Sequence, residues 1–168
     1  WLGEEVFSFG AFDETVRETI TTFDVSENID SIRIGGEPFL EDKHRNITLR
    51  GNYGLFYDVQ INFVNSGKEP RRVNLFFTPA AGNVRGVLVI NGKLMETEFL
   101  ESRRQIEISQ KLFMTVVQPN EVQTLRLQMM PQPGSFYPVQ LVMRGGNIRA
   151  RAPIQVSTLG SKLTGDVE

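Results

Sequence analysis

His44 is the only histidine in the chain, and there is no cysteine. Nucleophilic hydrolysis needs a base beside the nucleophile, and histidine is the usual one. Only His44 could serve, and it stands in Glu41-Asp42-Lys43-His44-Arg45, a charged run that reads as an exposed loop. No serine occupies a Gly-x-Ser-x-Gly elbow. Without cysteine there are no disulfides, no thiolate metal sites and no thiol nucleophile. Zinc and iron sites draw on several His or Cys ligands, which one histidine cannot supply. Calcium takes oxygen ligands alone, but neither Asp13-Glu14 nor Glu41-Asp42 has the Asp-x-Asp-x-Asp-Gly spacing of a calcium loop. Glu96 and Glu98 stand at i, i+2, so one strand would aim both at one face, as a glycosidase pair requires. Gly82-Asn83-Val84-Arg85-Gly86 is bounded by glycines, yet no Gly-Lys-Ser/Thr follows. Asn46-Ile47-Thr48 matches the N-glycosylation acceptor. The expectation is a protein with no catalytic residues, no metal site and no cofactor; a hydrolase using acidic residues ranks third among the readings.

The aromatic side chains are the more informative set. There are 12 Phe, 3 Tyr and 1 Trp. Tyr53 sits between glycines, and Phe56 falls on the polar side of its own alternation. Phe136 and Tyr137 stand together in Pro133-Gly134-Ser135-Phe136-Tyr137-Pro138. Exposed aromatics beside polar groups suit stacking on sugars or packing against protein. Tyr53, Phe56, Phe136 and Tyr137 are therefore the candidate ligand-binding residues; the competing role is to cap the open end of the fold.

Charge supplies a second candidate surface. The net charge is −2, which argues against a general nucleic-acid binder. It divides unevenly: residues 1–84 carry 8 basic and 13 acidic side chains, residues 85–168 carry 10 and 7. Arginine accounts for 13 of the 18 basic residues. Arg103, Arg104, Arg144, Arg149 and Arg151 form a candidate protein-contact patch for an acidic partner.

The elements that must position these residues alternate with period 2. Leu55, Tyr57, Val59, Ile61 and Phe63 are apolar, with Asp58, Gln60 and Asn62 between them. That pattern makes a strand with one buried and one wet face. Val73, Leu75 and Phe77 repeat it, as do Leu125, Leu127 and Met129, then Val139, Leu141 and Met143. Ile106, Ile108, Leu112, Met114 and Val116 are read as one face of a long strand, and Gln110 within that face points to a bulge or a sheet edge. Arg17–Val25 reads as a strand in competition with a short helix begun at Asp13. Ser31–Ile34 and Ile47–Arg50 read as short strands, and residues 148–156 as an edge strand marked by Pro153. Asn91-Gly92 between Val87–Ile90 and Lys93–Phe99 predicts a type I′ hairpin. Asn65–Pro70, Pro119-Asn120 and Gly145-Gly146-Asn147 read as further turns, the first of them a hairpin loop.

About nine to eleven strands with little helix predict an all-β antiparallel two-sheet sandwich, immunoglobulin-like or jelly-roll-like with Greek-key connections. A closed barrel is the alternative. Residues 1–156 are read as a single domain, and 157–168 as a polar tail or linker. The start at Trp1 is expected to mean a removed leader or a domain cut from a longer protein. The longest uncharged run, 127–143, holds three prolines, so no membrane-spanning helix of about 20 residues is expected. In general look the chain is similar to accessory β-sandwich modules of secreted or surface bacterial proteins, a fold-level analogy. The expected role is a non-enzymatic accessory or structural module acting through protein contact or self-association, extracytoplasmic, and binding no nucleic acid. A carbohydrate-binding module using the exposed aromatics, with a glycan as ligand, is the runner-up.

Overall fold

The computed structural model describes residue 12 and residues 14–42, 46–101 and 108–147. Among these residues there are eleven strands and no helix. They are β1 (Val16–Asp24), β2 (Ile29–Ile34), β3 (Leu40–Asp42), β4 (Ile47–Leu49), β5 (Phe56–Val64), β6 (Arg71–Pro79), β7 (Val87–Ile90), β8 (Lys93–Glu96), β9 (Gln110–Val117), β10 (Val122–Met129) and β11 (Val139–Asn147). One sheet runs β1-β5-β10-β7-β8, a second β2-β11-β6-β9, and β3 and β4 form a small third.

The pairings are nested. β7 and β8 make a hairpin at Asn91-Gly92, both with positive φ (48° and 79°), as a type I′ turn requires. Outside it β6 pairs with β9, then β5 with β10, then β2 with β11. The chain is thus one long antiparallel ribbon rolled over so that successive pairs fall in alternate sheets.

Period-2 burial drives the two larger sheets together. Tyr57, Val59, Ile61 and Phe63 of β5 are buried, as are Val73, Leu75 and Phe77 of β6 and Leu125, Leu127 and Met129 of β10. Phe63 stacks on Phe113 of β9 across the layers, centroids 6.4 Å apart, and meets Phe23 of β1 edge-on at 6.5 Å. These apolar faces leave water together, which is the main favourable term holding a sandwich-like, all-β fold.

Several expectations need correction. The sheets are not wholly antiparallel: β1 runs parallel to β5 from Val16–Phe56 to Asp24–Val64. The Asn65–Pro70 segment is not a hairpin loop, because β5 and β6 lie in different sheets. Buried Asn65 shapes this crossover, donating through Nδ2 to the Glu69 and Val117 carbonyls and accepting from Gly67 N–H. Gly145-Gly146-Asn147 is not a turn but the end of β11, paired with Val73, Arg72 and Arg71. A Cβ on Gly145 would collide with the Val25 and Glu27 carbonyl oxygens, so glycine is what lets the β1–β2 turn lie against this strand. Leu112, Met114 and Val116 do not share a buried face either. A bulge shifts the register so that Phe113 opposes Leu75 while Lys111 opposes Phe76. Beyond it Phe113 and Val117 face the core, and Met114 is half exposed. One extra residue inverts every later side chain. The proposed edge strand 148–156, the domain limit at 156, the tail 157–168 and Ile106 lie outside the described residues.

Candidate functional site

Segments 50–55, 80–86 and 130–138 meet at one end of the sandwich and bring Tyr53, Phe136 and Tyr137 together. Tyr53 meets Tyr137 edge to face, centroids 5.9 Å apart and planes at 86°. Its hydroxyl donates to the Ser135 carbonyl at 2.8 Å. The Ser135 hydroxyl accepts from Arg85 N–H and donates to the Arg85 carbonyl, both at 3.1 Å. Phe136 N–H donates to the Asn83 carbonyl, and its ring lies on Gly82, where a Cβ would overlap it. Tyr137 is 7% exposed and Phe136 59%. Burial pushes the Tyr137 phenol up to about 12. Phe56 lies elsewhere, half buried on the outer face of the five-stranded sheet beside Val16. Two of the four aromatics thus have rings committed to the end cap, and Phe136 alone is largely exposed.

Below this cap lies a buried amide that no local sequence pattern marks. Asn52 has no exposure and a left-handed φ of 50°. Its Oδ1 accepts from Leu40 N–H at 2.8 Å, and its Nδ2 donates to the Gly36 carbonyl and the Tyr57 hydroxyl. The Tyr57 hydroxyl also accepts from Gly35 N–H. Arg17 covers the Tyr57 ring at 5.7 Å, paired with Glu14 and donating to the Pro38 carbonyl. The set is structural: every polar atom named serves another part of the fold.

The charged surfaces divide by sheet. On the outer face of the five-stranded sheet, Asp58 takes two bonds from Arg126 and one from Gln128 at 3.0 Å. The Arg126 guanidinium holds the Asp58 carboxyl below its usual range. Glu96, at the end of β8, pairs with Arg85. Glu98 lies beyond the strand, its N–H donating to Gln110, so the two glutamates do not share a strand face as expected. Asp58 and Glu96 are thus each paired with an arginine.

The outer face of the four-stranded sheet differs. Strand alternation places Arg33 on β2, Arg144 on β11, Arg72 on β6 and Lys111 on β9 on this one face. Arg144 lies over the Phe76 ring at 5.5 Å. Phe76 adjoins buried Val142, and Met114 (50% exposed) and Ile29 (56%) flank them. The Arg72 Nε is buried with no acceptor among the described residues. No acidic side chain of the described residues falls on this face by the strand register. The structure therefore places Arg144 of the expected patch on a basic face, with Arg33, Arg72 and Lys111 as neighbours that were not expected. Arg103, Arg104, Arg149 and Arg151 lie outside the described residues, as does His44. Outward parity could have flagged Arg72 between Val73 and its turn; the sheet order that adds Arg33 and Lys111 is not a local property.

Among the described residues no three His, Asp or Glu side chains lie together as metal ligands. No helix among them is long and apolar enough to cross a membrane. No protein-family model matches the chain, and no curated protein matches it in sequence.

Proposed function

We propose that this chain is a non-enzymatic β-sandwich module that works by protein contact, with the outer face of the four-stranded sheet receiving an acidic protein surface. The observation that carries this is the grouping of Arg33, Arg72, Arg144 and Lys111 around Phe76, Val142 and Met114 on a face without acids among the described residues. Arginine, aromatic residues and methionine are enriched at protein interfaces. Guanidinium groups grip carboxylates in a bidentate way that ammonium groups do not. The apolar centre favours a protein partner over the bare phosphate chain of a nucleic acid, as does the net charge of −2. The module belongs, on this reading, to an extracytoplasmic setting like that of the accessory modules it resembles. Its finer type is jelly-roll rather than immunoglobulin-like. What supports this is the nesting of β7·β8, β6·β9, β5·β10 and β2·β11 into alternate sheets, the pattern of two Greek keys in eight strands.

A labelled polyglutamate peptide serves as the acidic probe. Fluorescence anisotropy should show salt-sensitive binding. Arg33→Glu with Arg72→Glu should weaken it at least about tenfold, or 1.4 kcal/mol. Lys93→Glu at the β7–β8 hairpin should leave it unchanged. Equal losses from the double variant and from Lys93→Glu, or tighter binding of single-stranded DNA of matched charge, would refute the proposal.

A further inference from the structure

We infer that β1 is a docking edge for a second copy of this chain, joining two five-stranded sheets into one through an antiparallel β1–β1 pair. This rests on a different surface from the basic face.

Four strands end the two larger sheets, and three of them resist extension. β8 is four residues long and opens with a lysine. β9 carries the bulge at Leu112. β2 spans six residues with Asp30, Ser31 and Arg33 all exposed. Short length, bulges and exposed charge are the usual means of blocking edge-to-edge pairing. β1 is the longest of the four and has no bulge, and Glu18 is its one exposed charged residue. It spans nine residues without proline, in unbroken register with β5.

Alternation decides what β1 offers. Thr15 and Val25 turn their backbone groups to β5, since Thr15 accepts from Phe56 N–H and Val25 donates to Val64. The even residues Val16, Glu18, Ile20 and Thr22 therefore turn theirs away from the sheet. None of these four has a backbone hydrogen-bond partner on that side among the described residues. The same residues carry the outward side chains, and Ile20 is 72% exposed at the centre of the strand.

The strand is complementary to itself. Its midpoint is Ile20, so the antiparallel register that uses its full length sets Ile20 against Ile20 of the other copy on the two-fold axis. Glu18 then faces Thr22, Thr19 faces Thr21, and Val16 faces Asp24. No like charges stand opposite, and the Thr–Thr pairs and the central Ile–Ile pair are favourable cross-strand neighbours. An isologous contact of this kind closes as a dimer instead of growing into a fibre.

The absence of cysteine makes a clean test possible. In a hydrogen-bonded antiparallel pair, opposed Cα atoms lie about 5.5 Å apart, within reach of a disulfide. Thr22 would sit about 14 Å from its own copy, four residues along the strand. Under mild oxidation Ile20→Cys should give a covalent dimer in high yield and Thr22→Cys should remain single. Light scattering on the wild-type protein should give twice the 19.0 kDa chain mass at high concentration. Ile20→Lys, on an exposed position, should return it to one chain mass. A wild-type mass of 19.0 kDa at every concentration, equal cross-linking by both cysteines, or a dimer that survives Ile20→Lys would overturn the proposal.

Discussion

Replacing Asn52 with alanine removes the amide that holds the loop end of the sandwich together. The substitution strands Leu40 N–H and the Gly36 carbonyl in a site with no solvent exposure, and takes one of two partners from the Tyr57 hydroxyl. Each buried group left without a partner costs about 1–3 kcal/mol. Alanine at a φ of 50° adds about 1 kcal/mol, because its Cβ crowds the following carbonyl. The expected loss is about 3–7 kcal/mol, a large part of the 5–15 kcal/mol typical of a domain. With a urea m-value of about 2 kcal/mol/M, the midpoint should fall by about 2 M. Urea unfolding followed by tyrosine fluorescence measures it. Asn52→Gly separates the causes, since glycine accepts the backbone angle but restores no hydrogen bond. It should recover about 1 kcal/mol of the loss and no more. A loss below about 1 kcal/mol for alanine, or wild-type stability for glycine, would refute the assignment of this amide as the organiser of the cap.

Gly145→Ala should destabilise by about 2–3 kcal/mol, because its Cβ meets two backbone carbonyls that cannot rotate away; thermal unfolding checks it. The Ser66 hydroxyl, and then the Ser26 amide, hold the Asp24 carboxyl down to about 2 from 3.8. A lowered folded-state pKa gives stability that is present above the unfolded value and lost as pH falls from about 4 towards 2. Asp24→Asn should remove that part of the acid-induced loss in a pH series of melting curves. Burial raises the Tyr137 phenol from 10.0 to about 12, so the unfolded chain ionises first and stability falls between those values. Tyr137→Phe should flatten the alkaline limb of the same series.

Much of the fold is written in local alternation. Tyr57 to Phe63 and Leu125 to Met129 declare a buried face because every second residue is apolar, and both strands form with that face inward. Asn91-Gly92 marks its hairpin because few other pairs accept two positive φ angles. What local pattern cannot carry is which strand lies beside which. Asn65-Ser66-Gly67 has the composition of any turn, and only the third dimension makes it a crossover between sheets. Leu112 breaks the alternation by one residue, and the run Leu112-Phe113-Met114 is apolar enough to hide the inversion. The basic face was concealed for the same reason: Arg33, Arg72, Lys111 and Arg144 are far apart in sequence and become neighbours only through the order β2-β11-β6-β9. Of the four candidate aromatics Phe56 lies on a sheet face away from the others, and Tyr53 and Tyr137 turn towards each other and Ser135 instead of outward. Asn52 gave no signal beyond its neighbour Gly51, since a buried role for a single amide depends on the loops that surround it.

On the proposed function, an acidic protein surface docks on the outer face of the four-stranded sheet. Backbone amide NMR during titration with the polyglutamate peptide tests it most directly. Saturable shifts should concentrate at Arg33, Arg72, Lys111, Arg144 and their neighbours Phe76 and Val142, diminishing as salt is raised. Shifts centred on the Asp58–Arg126 face or the Phe136 loop, or no saturable shift at low salt, would contradict it.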